Sequence, residues 1–176
     1  MGLLKERITA EKAGFYLVAL LIESARKLEE SGSQGVHELA EKCEVDVERL
    51  YREIVYLRAF SVQFATTQAL GATSLRNAVL DSFYQWLRRA AADMASVGID
   101  NGRVFYQGVT NRVPGYAEAA RLMAYEETKG MKLGDLFATF CGGDGDFLLS
   151  LHGFFKFVTM QKAVRRFIES VRITAS

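Results

Sequence analysis

Proline is almost missing from this chain: Pro114 is the only one in 176 residues. With few strand-like runs beside that scarcity, helices are favoured over a sandwich or a barrel. Cysteine is nearly as rare. Cys43 and Cys141 stand far apart with no CxxC pairing, which excludes a zinc ribbon or a thioredoxin-like motif. Two buried thiols in a reducing cytoplasm are expected instead. Histidine is limited to His37 and His152, and neither falls in HExxH or ExxH, so zinc-protease and helical di-iron sites lack their ligands. There is no GxSxG, no P-loop and no GxGxxG. Charge bias is missing too: the formal net charge is +1, which gives no general attraction to nucleic acid or to an anionic membrane. The longest apolar run, Ala13 to Ile22, is too short to span a bilayer. Lys5, Glu6, Arg7, Glu11 and Lys12 interrupt the N-terminus, so no secretory signal is expected.

What is present is apolar and helix-periodic. Hydrophobic residues make up 49%, and a chain of this length can bury a core without a disulfide or a metal. One domain over residues 1–176 is expected. Thr9 can cap a first helix from about Ala10 to Glu30, whose middle is apolar on all sides and therefore reads as central. Ser31 to Gly35 ends it. A long helix should run to about Ala69 and break at Gly71, and Thr73 or Ser74 should cap the next, Leu75 to Val97. There Leu75, Val79, Phe83, Trp86, Ala90 and Met94 form the inner stripe, with Asn77, Asp81, Gln85 and Arg88 outside. Gly98 to Gly115 reads as an irregular loop or a small hairpin, with Asn101-Gly102 as its turn and Pro114 opening the following helix. A short helix from Leu133 to Phe140 and a loop with Asp144 and Asp146 precede a final helix to about Ile173, capped by one of those aspartates. His152 reads as a hydrogen-bonded core histidine.

Val36 to Phe60 carries a recurring motif. Leu39-Ala40 supplies the apolar and small residues of a short helix. Cys43 and Val45 would pack under a turn, Asp46 would cap a second helix, and Leu50 and Ile54 would bury its inner face. This resembles the helix-turn-helix of bacterial transcription factors. The resemblance implies a DNA-binding regulator with Arg49, Tyr51 and Arg52 as the contact residues. The sequence departs from it in two ways. Glu44 occupies the turn position where glycine is usual. Six acidic residues face four basic ones over the stretch, a poor balance for neutralising phosphates.

Two stretches, 14–70 and 115–173, share an order of helix, break, short helix, tight loop and long helix, which suggests a weak internal duplication. In that alignment Asp46 lies opposite Asp144. The fold expected is an all-α, single-domain bundle of six or seven helices. The function expected is that of a non-enzymatic cytoplasmic protein for binding or assembly, with no cofactor and no metal. Its partner would be another protein, a second copy or a small apolar ligand, and DNA under the alternative. Tyr106, Gln107, Asn111 and Arg112 are the first candidates for ligand contact, because irregular segments often carry function.

Overall fold

A computed structural model describes residues 5–31, 33–96, 102–123 and 131–175. Among them are seven helices and a two-stranded parallel sheet. The order is β1 (Glu6–Thr9), α1 (Ala10–Ser31), α2 (Ser33–Lys42), α3 (Val47–Leu70), α4 (Ser74–Ser96), α5 (Gly102–Met123), α6 (Met131–Cys141), α7 (Phe147–Ser170) and β2 (Val171–Thr174). The all-α bundle is the expected one. None of the helices described is long and apolar enough to cross a membrane.

Capping residues start the helices where the sequence placed them. The Thr9 hydroxyl accepts from the Lys12 N–H at 3.1 Å, and the Thr73 hydroxyl accepts from the Arg76 N–H at the same distance. Asp46 accepts from Arg49 N–H and Asp146 from Leu149 N–H. Each cap satisfies one of the donors left over in a first helical turn. Gly71, at φ 63, ends α3.

Two apolar cores lie end to end. The first gathers β1, α1, α4, the first half of α5 and the C-terminal halves of α3 and α7, around Leu17, Leu21, Val62, Phe83, Val109 and Val164. The second gathers α2, α6, the N-terminal halves of α3 and α7 and the second half of α5, around Leu50, Phe60, Tyr116, Phe137 and Leu149. Four helices therefore contribute to both cores: α3, α5 and α7 pass through them, and α1 reaches the second with Leu28.

Four expectations are corrected. Residues 102–115 are not a hairpin: α5 is one helix, with Pro114 inside it. Phe105, Val109, Tyr116 and Ala120 recur at three- to four-residue multiples and meet the cores, and this burial outweighs the low helix propensity of Gly108, Thr110 and Pro114. The turn at Asn101 lies outside the described residues. Helix α1 is not central either. Its Phe15, Tyr16 and Ile22 are exposed, and the rings of Trp86 and Phe167 meet the first two edge-on. The inner stripe of α4 runs through Val79, Phe83, Leu87 and Ala91, with Trp86 and Ala90 at its border. Finally, α7 stops at Ser170. Val171 to Thr174 leave it as β2, which pairs with Glu6 to Thr9 and ties the two ends of the described chain together. The β-branched Val171 and Ile173 suit a strand.

The turns after α2 and α6 share one hydrogen-bond pattern. Val45 N–H donates to Ala40 C=O and Glu44 N–H to Glu41 C=O; Gly143 N–H donates to Ala138 C=O and Gly142 N–H to Thr139 C=O. Both are Schellman ends, with Glu44 (φ 55) and Gly142 (φ 92) in the left-handed position. Cys43 and Cys141 therefore hold the same place, and the second loop has two extra residues before its cap. Asp46 corresponds to Asp146, not Asp144. The turns also touch: Cys43 Sγ lies 3.6 Å from Asp146 Oδ1.

Left-handed backbone costs a non-glycine residue about 1–2 kcal/mol, and Glu44 is exposed. Glycine would lose part of that gain to its freer unfolded chain. Glu44→Gly should raise stability by about 0.5–1 kcal/mol, read as a higher urea midpoint. A lower midpoint would contradict this account of the turn.

Candidate functional site

Along α3, residues 49, 52, 53 and 56 repeat at helical spacing and share one face; along α5, residues 104, 107, 108 and 111 do the same. The two faces meet across a cleft of about 350 Å³, lined by Arg49, Arg52, Glu53, Tyr56, Val104, Gln107, Gly108, Asn111 and Arg112. The adjoining stripe of α3, Leu50, Ile54 and Leu57, is fully buried in the second core. This burial aims the polar stripe at α5.

The floor is an ion pair. Glu53 is only 3% exposed. Arg112 Nε donates to Glu53 Oε2 at 2.9 Å, and Arg112 Nη2 donates to Oε1 at 2.6 Å. The fork geometry of guanidinium on carboxylate makes this a strong, oriented contact. The same guanidinium lies 4.2 Å from the centre of the Phe140 ring. The Glu53 charge reaches its neighbours. Burial, and then Glu53, push the Tyr56 phenol and the Cys141 thiol up, and hold the Tyr116 phenol well above its ordinary value. All three stay protonated at neutral pH. Cys141 is therefore a packing residue and no thiolate nucleophile. The Tyr116 hydroxyl is buried beside this cluster without a hydrogen-bond partner.

The rim is cationic. Arg49 is fastened by its Nε to the Phe140 carbonyl at 2.6 Å, near the C-terminal end of α6, where a cation is favoured. Among the described residues Arg52 has one loose ion-pair neighbour, Glu48 at 3.7 Å, and Glu48 is 82% exposed. Such a pair contributes little. The wall is closed by Tyr56 lying against Gly108. A Cβ at Gly108 would come within 2.3 Å of the Tyr56 ring and hydroxyl, so only glycine permits this approach.

Of the residues expected to meet a ligand, Gln107, Asn111 and Arg112 line the cleft. Tyr106 does not: it packs half-buried against the first core, because neighbours on a helix point about 100° apart. Of the residues implied by the helix-turn-helix resemblance, Arg49 and Arg52 line the same cleft, whereas Tyr51 packs against the second core with its ring 6.1 Å from that of His37. Glu53, Tyr56, Val104 and Gly108 were not expected. Their one sequence signal is the polar stripe Arg49-Arg52-Glu53-Tyr56 beside an apolar one. In the α6–α7 loop, Asp144 accepts from the Thr139 hydroxyl and Asp146 caps α7. Among the described residues no cluster of metal-binding side chains occurs. The chain matches no protein-family model, no curated protein and no solved structure.

Removing one partner of a buried pair leaves the other charge uncompensated, at a cost of about 3–5 kcal/mol. Arg112→Leu should therefore lose about 3 kcal/mol in urea unfolding. The double variant Glu53→Leu/Arg112→Leu should recover part of that loss. Additive effects would mean that the two are not coupled.

Proposed function

We propose that the chain is a non-enzymatic binding protein whose α3–α5 cleft takes a small anionic ligand. One observation carries this reading: three arginines line the cleft, and its single carboxylate, Glu53, is already engaged by Arg112. The lining thus holds an excess of positive charge around a concave space of ligand size. Gln107 and Asn111 add amide donors and acceptors. Tyr56, Gly108 and Val104 supply an apolar wall suited to a ring or a short hydrocarbon. The expected small apolar ligand is revised accordingly to a compact apolar body with an acidic group. A cytoplasmic setting is part of the proposal, because Cys43 and Cys141 are both free thiols, their ordinary state in a reducing compartment.

The alternative, a DNA-binding regulator, rests on the same arginines and has less behind it. Arg49 is tied down to Phe140, and Glu48 stands outward at the start of α3 where a phosphate backbone would pass. The assembly reading draws on the exposed Phe15, Tyr16 and Ile22 of α1.

Phenyl phosphate and benzoate, titrated against isotope-labelled protein, should shift the backbone amides of Gly108 and Asn111. A charge-assisted hydrogen bond contributes about 1.5–3 kcal/mol, so Arg52→Gln should weaken binding about tenfold. No shift at millimolar ligand would sink the proposal. Salt-sensitive shifts with a mixed-sequence duplex would move the assignment to DNA.

A further inference from the structure

A second cationic cluster lies away from this cleft. His152 and Lys156 stand four residues apart on α7 and so share a face, and Arg58 meets them from α3. All three are half-buried. Arg58 Nη1 donates to the Ser24 carbonyl of α1 at 2.7 Å, which places the group where α1, α3 and α7 converge. His152, expected to be a hydrogen-bonded core histidine, is not one on its inner side: its Nε2 is buried with no hydrogen-bond partner.

Cations taken out of water are normally paired with carboxylates. Here the effects on the three groups are burial first and then mutual repulsion. His152 is pushed down to about 4 by burial, then by Lys156 and Arg58; Lys156 is lowered by burial and by Arg58; Arg58 is lowered by burial. Among the described residues no acidic group acts on any of them. The cluster therefore presents an ammonium, a guanidinium and an imidazole N–H, three kinds of donor that suit a tetrahedral oxyanion.

We propose that Arg58, His152 and Lys156 form a binding site for a phosphate group, separate from the α3–α5 cleft. The half-exposed ammonium and guanidinium make the first contact, and the imidazole is the inner donor. A bound phosphate replaces repulsion among cations with attraction to a shared anion, and so makes the charged imidazolium affordable. His152 then takes up a proton at a pH where it is otherwise neutral.

The test is a pH titration of the imidazole resonances of His37 and His152 by NMR, in chloride and in inorganic phosphate at equal ionic strength. His152→Gln assigns the two signals. Phosphate should raise the midpoint of His152 by about one unit or more, the size expected when an opposite charge comes close, and leave that of His37 in place. In Lys156→Gln, the midpoint should rise without phosphate, because a repelling charge is gone, and phosphate should then move it much less. Arg52→Gln, in the other cleft, should leave the His152 response intact, so this site and the α3–α5 reading can fail separately. Repeating the titration with methyl phosphate separates the two sources. A response to both salts assigns a phosphorylated ligand, and a response to inorganic phosphate alone assigns the free ion. If wild-type His152 titrates alike in chloride and phosphate, or if both histidines shift together, the proposal is overturned.

Discussion

A carboxylate that is nearly out of water constrains this molecule. Glu53 stands on the same helix as the fully buried Leu50, Ile54 and Leu57, so packing α3 into the second core carries the charge inward with it. A buried charge must find a partner, and Arg112 of α5 supplies one through a forked contact. That contact fixes how closely α5 approaches α3 at mid-length. Gly108, one turn earlier on α5, lets Tyr56 close the approach from the side. The cleft is the space that remains where the two polar stripes meet.

The long helices α3 and α7 spread this constraint through the fold. Each passes through both cores, and each begins at a turn that rests on the other's turn. Arg49 bonds to Phe140 across the gap, and Cys43 lies against Asp146. The two turns have the same backbone form although one uses glutamate and the other glycine in the left-handed position. Equal form with unequal residues shows that Glu44 takes the left-handed position that glycine fills in the second turn. It also gives α2–α3 a structural role, holding the start of α3 against α6, that does not depend on contact with DNA.

The two cationic places differ in kind. In the α3–α5 cleft an arginine excess surrounds a satisfied ion pair: Arg112 holds Glu53, Arg49 a backbone carbonyl, and Arg52 lies near Glu48. At Arg58, His152 and Lys156 two cations act on a neutral imidazole, and burial depresses all three groups. The first has room for a ligand with a body; the second suits a single compact anion. The α3 positions concerned, Arg52 and Arg58, point to different sides of one helix, so the two sites are physically independent.

The sequence by itself determined the helices, their caps and most of their inner faces. Thr9, Asp46, Gly71 and Thr73 act through bonds to residues three or four away, and periodicity at 3.6 residues is local information. It determined part of the site as well: Gln107, Asn111 and Arg112 on one side, and Arg49 and Arg52 on the other. Only the tertiary structure decided that these two sets belong together. Their meeting depends on which face of α3 and α5 each core claims, and that is settled by contacts between residues more than fifty positions apart. The same reason accounts for what was misread. Pro114 and Gly108 argue locally against a helix, and only the burial of Val109 and Tyr116 in two separate cores makes α5 helical throughout. The aromatic middle of α1 argues locally for a central helix, and only the packing of the bundle buries one face, with Leu17 and Leu21, and leaves Phe15, Tyr16 and Ile22 exposed.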